Sequence, residues 1–188
     1  PIGEASDEAW HYGVIQHLVD TGELPVQQPG VHTPWEQEGS QPPLYYLLAA
    51  VLVQPFDRTD FGTLRQPNPH VIAGVPGNAC NKNLVLHDTP LPPLQGAALA
   101  VYVVRLFSLA LGCITVAAVY GSAQVLVGAY GRKPLQKFVP ILAAGLTAFN
   151  PMFLFISASV NNDNLVTALN SLIIWQMLVM LRDGFAFR

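Results

Sequence analysis

The sequence predicts an all-α membrane protein: three transmembrane helices preceded by a large extracytoplasmic first loop that carries an amphipathic helix and a juxtamembrane helix. Three observations lead there. Only 11% of the 188 residues are Asp, Glu, Lys or Arg and 51% are apolar, whereas a soluble domain is roughly a quarter charged. Uncharged runs of membrane-spanning length fill the second half of the chain. The charges also separate along the sequence: residues 1–97 hold ten acids and three bases, and residues 98–188 hold two acids, Asp163 and Asp183, and six bases. A net charge of −3 excludes a basic nucleic-acid footprint, so no nucleic acid is expected as a partner.

Taken in order, Asp7 to Val19 predicts the amphipathic helix, with Trp10, Val14, Ile15 and Leu18 on one face and Gly22 as its stop. Pro43 to Val53 is apolar but too short to span, and Pro42-Pro43 suits a first helical turn. It reads as an interfacial or re-entrant helix with Tyr45 and Tyr46 at headgroup level. Residues 57–96 contain six prolines and four glycines without a period, and read as an irregular loop. The apolar stretch from Ala97 to about Val127 includes 26 uncharged residues between Arg105 and Arg132 and is the first span. Phe138 to about Phe155 is the second, with a kink or an end at Asn150-Pro151, where proline removes a helical hydrogen bond. Leu165 to Leu181 is the third, at 17 residues near the short limit for a crossing. No internal repeat is found.

The loops set the expected orientation. Gly131 to Lys137 and Arg182 to Arg188 together hold five of the six late bases, and positive loops stay inside. The chain therefore divides into an extracytoplasmic segment, 1–96, a three-span region, 97–181, and a cytoplasmic tail, 182–188, in the cell membrane. Cys80 lies in a polar stretch and Cys113 in an apolar one, so no disulfide between them is expected. Pro1-Ile2-Gly3-Glu4 shows no signal-peptide pattern.

Three groups on the outer side are candidates for chemistry. Asp7-Glu8 opens the amphipathic helix with His11 one turn on, and the bland alternative is a capping pair favoured by the helix dipole. Asp163, in Ser159 to Asn164, is either a helix cap or a functional acid at the membrane boundary. Arg105 lies about 12 Å along the first span. It either snorkels, neutralises Asp163, or clamps an anionic group through its guanidinium fork. None of the five histidines has metal-site spacing, and the sequence lacks zinc-protease, nucleotide-loop and serine-hydrolase patterns.

The order of Asp7-Glu8-Ala9-Trp10-His11, Gly22-Glu23-Leu24-Pro25, Gln41-Pro42-Pro43-Leu44-Tyr45-Tyr46, Arg105 with its small-residue-rich span, Asn150-Pro151-Met152-Phe153 and Val160-Asn161-Asn162-Asp163 resembles the front part of a GT-C membrane glycosyltransferase. The nearest flavour is the bacterial relatives of protein O-mannosyltransferases and of the lipid A aminoarabinose transferase. The resemblance implies that the chain starts just after a first span, as the front portion of a longer enzyme, and that its three spans are the second, third and fourth. It also implies Asp7 as general base or metal ligand, Glu8 as its motif neighbour and Asp163 as the second acid. Arg105 and His11 would bind substrate. A divalent ion, Mg or Mn, would sit on Asp7 and Asp163. Some members carry a Glu close before the Pro-Pro pair where this chain has Ser40-Gln41, with Glu38 further back, which argues against a metal role for Glu38.

The expected activity is transfer of a sugar from a polyprenyl-phosphate donor to an acceptor hydroxyl at the outer face, with inversion. The alternative is a non-catalytic scaffold or accessory subunit of a larger membrane complex that keeps a truncated GT-C fold. Expected partners are the lipid-linked donor, the bilayer and other membrane subunits. A transporter piece is a weaker third reading, since no pair of broken helices faces a midplane site. On the first reading Asp7, Asp163 and Arg105 gather around one cavity.

Overall fold

The computed structural model describes residues 2–5, 7–72, 81–86, 95–129 and 134–184. Cys80, Gly131 to Lys133 of the basic linker and residues 185–188 of the expected tail lie outside the described residues. Among the described residues there are helices and a single isolated bridge between Pro67 and Val85, and no strand. The helices are α1 (Glu8–Thr21), α2 (Leu44–Val53), α3 (Phe61–Leu64), α4 (Gly96–Ala129), α5 (Val139–Ala148), α6 (Pro151–Ser157) and α7 (Asp163–Asp183), with 3-10 turns at Glu36–Ser40 and Pro134–Phe138. They form two compact units: Pro1–Phe107 with Ser159–Asn162, and Ser108–Ala158 with Asp163–Arg188.

In the first unit, α1 packs on α2 and on the Glu36–Ser40 turn. Gly22 ends α1 in the left-handed conformation, φ 74°, and donates its N–H to the Leu18 carbonyl, as a glycine C-cap should. The buried face of α1 is wider than the sequence pattern suggests. It includes Glu8, His11 and Tyr12 besides Val14, Ile15 and Leu18, whereas Trp10 is only half-buried. The tyrosines of α2 also differ from expectation. Tyr45 and Tyr46 are buried together with Ala49 and Val53, and the outward face is Leu44, Leu47, Leu48, Val51 and Leu52. The reason is that both hydroxyls find polar partners inside the unit, which a headgroup position would forgo. Each fully buried aliphatic side chain here, such as Ile15 or Val53, contributes about 1.5–3 kcal/mol.

Two contacts from residues 57–60 complete this unit. Arg58 donates from Nη1 to the carbonyls of Val53 and Phe56 at 3.0 and 2.8 Å, satisfying the carboxyl end of α2 with a cation. Asp60 accepts the Ala97 N–H at 2.7 Å, so an acid 37 residues earlier caps α4. Ala97, Ala98, Ala100, Val101 and Val104 are buried in the first turns of α4.

The second unit contains the remainder of α4 with α5, α6 and α7. Gly121 lies against the Trp175 indole and Gly112 against Ser157, so small residues let the helices approach closely. The break expected at Asn150-Pro151 is present: α5 and α6 are bent by 63°. Asn150 takes an extended conformation, and its side chain accepts the N–H groups of Met152 and Phe153 while Pro151 fills the first helical position. At 21 residues, α7 is about 31 Å long. Ile173, Ile174, Met177 and Leu181 on α7, and Ile141, Leu142 and Leu146 on α5, are exposed. Among the described residues two helices, α4 and α7, are long and apolar enough to cross a membrane, and the bent pair makes a third if it forms one span. These apolar surfaces suit a lipid environment.

A β-carbon at Gly13 would collide with the backbone carbonyl of Pro34, and a backbone cannot turn aside as a flexible side chain can. Gly13→Ala should therefore cost about 1–3 kcal/mol. Gly62→Ala, facing open space, should leave the melting temperature nearly unchanged. Thermal unfolding in detergent measures both.

Candidate functional site

The site is assembled around the first turn of α1, within the first unit. Asp7 is the N-cap residue of α1, yet its side chain makes no capping bond. It turns along the helix to His11, with Oδ2 3.5 Å from Nε2. The capping alternative is thus replaced by a pairing one turn on. A hydrogen bond from His11 is the largest influence holding the Asp7 carboxyl below its ordinary range. Partial burial opposes it, and the Asn161 side chain assists. With its side chain 33% exposed, Asp7 is an ionised carboxylate reachable from solvent.

Glu8 points the other way and is 1% exposed. Its two oxygens receive four donors. Arg105 Nε donates to Oε1 at 2.7 Å and Nη2 to Oε2 at 2.6 Å, a bidentate fork. The Gly3 N–H donates to Oε2 at 2.8 Å and the Val160 N–H to Oε1 at 3.0 Å. Arg105 also lies over the Tyr102 ring at 5.5 Å. A buried charge is tolerable when its lone pairs are filled this way. Among the partners that the sequence left open for Arg105, Glu8 was not named, and Glu8 is one that the structure supplies.

His11 is 2% exposed and bridges three elements. Its Nδ1 lies 2.7 Å from the Tyr46 hydroxyl of α2, and the two rings stack at 5.9 Å. Glu38, on the Glu36–Ser40 turn, brings Oε2 to 3.6 Å from Nδ1 with its side chain 7% exposed. Asp7, His11 and Glu38 each offer one donor atom within 4.8 Å of the others, so they are the described residues able to hold a metal ion. Residues 159–162 close the site from the far end of the sequence: the Asn161 N–H donates to the Tyr45 hydroxyl at 3.3 Å. Asn162 Nδ2 donates to Gln41 Oε1 at 3.5 Å.

Of the predicted residues, Asp7, Glu8, His11 and Arg105 fall in this one unit. Asp163 belongs to the second unit, where it opens α7 and is exposed. The sequence did not single out Tyr45, Tyr46, Asn161 or the Val160 N–H as members. A usable signal existed for the tyrosines, two hydroxyls on a helix otherwise made of Leu, Ala and Val. Glu38 was weighed only from its place before the Pro-Pro pair and set aside; its approach to His11 depends on a 3-10 turn folding against α1. No family model, curated protein or solved structure matches the chain.

Removing one partner of a buried ion pair strands the other charge, at a cost of about 3–5 kcal/mol. Glu8→Gln and Arg105→Gln should each destabilise on that scale. The double variant should be markedly less damaged than the sum of the two, since neither charge is then left alone. Simple additivity in a double-mutant cycle by thermal or chemical unfolding would show that the pair is not coupled.

Proposed function

We propose that the chain carries the catalytic base of a GT-C type membrane glycosyltransferase, which moves a sugar from a polyprenyl-phosphate donor to an acceptor hydroxyl. The observation that carries the reading is Asp7: an ionised, solvent-reachable carboxylate on an otherwise buried polar cluster, in the unit that contains the start of a membrane-length helix. The late bases favour residues 1–96 on the outer face of the cell membrane. A polyprenyl phosphate keeps its tail in lipid and its reacting bond at the interface, the depth at which the first turns of α4 would lie.

In the proposed step the acceptor oxygen bonds to the anomeric carbon as the bond from that carbon to the phosphate oxygen breaks. The bonding pair leaves with the phosphate, and the hydroxyl proton passes to Asp7. One displacement inverts the anomeric centre. Glu8 and Arg105 neutralise each other and position α1 against α4, so Glu8 acts as a positioning residue and Asp7 as the base. Tyr46 and Asn161 hold the His11 and Asp7 side chains in place. A divalent cation held beside Asp7 would supply charge stabilisation to the departing phosphate.

The test is reconstitution of the protein in vesicles with a polyprenyl-phosphate sugar, following release of polyprenyl phosphate. Asp7→Asn should lower turnover about 100-fold or more, the usual scale for general-base loss. Turnover by Asp7→Asn at the parental rate removes Asp7 from the chemistry. Asp163→Asn, assayed beside it, decides whether the second acid belongs to the reaction.

A further inference from the structure

We propose that the open cleft between the carboxyl-terminal ends of α1 and α2 binds a neutral saccharide, a mono- or disaccharide, through its hydroxyl groups. The cleft has a volume of about 570 Å3, within the range of small-molecule sites, and lies wholly in the first unit. Asp20 on its wall is thirteen residues from Asp7, about 20 Å along α1, so the cleft is a separate place from the Asp7 cluster. Binding there requires no transfer reaction.

Arg58 makes the cleft a preformed one. Its Nη1 holds the Val53 and Phe56 carbonyls, Nε donates to Gln16 Oε1 at 3.2 Å and Nη2 to Asp20 Oδ1 at 3.3 Å. The guanidinium thus ties the end of α2 to α1 and sets the wall before any ligand arrives, which lowers the ordering cost of binding. It also decides against an anion. Arg58, the one cation lining the cleft among the described residues, is already engaged and 11% exposed, while two carboxylates, Asp20 and Asp57, line the same space.

What the wall offers is a set of neighbouring donors and acceptors. Gln16 Nε2 donates to Asp20 Oδ2 at 2.8 Å. Asp57 Oδ1 accepts the Thr59 N–H and hydroxyl at 3.0 and 2.9 Å, which leaves Asp57 Oδ2 and the exposed Gln54 amide for a ligand. The Thr59 bonds, its backbone N–H first, hold the Asp57 carboxyl below the usual carboxylate range, so it is ionised. An ammonium ion offers only donors and a phosphate chiefly acceptors. A sugar hydroxyl does both, and vicinal hydroxyls match adjoining carboxylate and amide groups. Phe56 and Phe61 add apolar rings to the same wall, a neighbour for the C–H face of a sugar ring.

A buried hydroxyl stands behind this wall. Tyr12, Gln16 and Asp20 are spaced i, i+4, i+8 and share one stripe of α1. The Tyr12 ring packs on Phe61 at 4.7 Å, the residue is 1% exposed, and its hydroxyl has no hydrogen-bond partner among the described residues. A buried hydroxyl left in that state is costly. A ligand hydroxyl entering beside Phe61 would supply the partner.

The test is titration of the protein in lipid nanodiscs, free of glycosidic detergent, with glucose, mannose, N-acetylglucosamine and maltose, read by saturation-transfer NMR. At least one of these should bind saturably, with transfer strongest to ring C–H protons, and neither putrescine nor inorganic phosphate should displace it. Asp57→Asn should weaken binding about 10-fold or more, and Gln54→Ala and Tyr12→Phe about 3-fold each, the usual scale for bonds to charged and neutral partners. Gln28→Ala, outside the cleft, should bind like the parent. So should Asp7→Asn, and sugar binding that survives there without turnover separates the cleft from the transfer reaction. Failure of all four sugars to bind overturns the proposal. So does binding that is unchanged in Asp57→Asn, Gln54→Ala and Tyr12→Phe, displacement of the sugar by putrescine or phosphate, or loss of binding in Asp7→Asn.

Discussion

The first unit depends on one buried ion pair. Arg105 sits on a helix of membrane length, where a charge without a partner is expensive, and Glu8 supplies that partner through two short bonds. The same carboxylate receives the backbone N–H groups of Gly3 and Val160. The amino-terminal turn, the start of α4 and the stretch before α7 are thus tied to the two oxygens of one α1 side chain.

This pairing separates two acids that are neighbours in the chain. Successive residues on a helix point about 100° apart, so Glu8 faces inward while Asp7 stays at the edge. Glu8 is neutralised and its lone pairs are filled, which leaves little for it to do except hold position. Asp7 keeps its charge and its access. Its hold comes from His11, which in turn leans on Tyr46 and Glu38, so the reactive candidate rests on a framework contributed by α1, α2 and a 3-10 turn.

The second unit follows simpler rules. Its break is local, written in Asn150-Pro151, and its helices approach where Gly112 and Gly121 leave room for Ser157 and Trp175. Its exposed faces are Ile, Leu and Met rather than charge, as a lipid-facing surface requires. No polar network on the scale of the Glu8 cluster is described within it.

The sequence by itself determined what depends on composition and local order. The membrane-length helices follow from uncharged runs, the stop of α1 from Gly22, the bend from Asn150-Pro151 and the short apolar α2 from its length. Asp7, Glu8, His11 and Arg105 also stood out as polar groups at apolar borders. What only the tertiary structure decided is pairing. Arg105 has Glu8 as its partner, 97 residues away, and Asp60 caps α4 from 37 residues away. Tyr45 and Tyr46 turn inward, and Glu38 joins His11. Hydrophobic pattern is periodic and can be read along one dimension. Satisfaction of buried polar groups is not periodic, because a donor's partner is whichever acceptor the fold brings within about 3 Å.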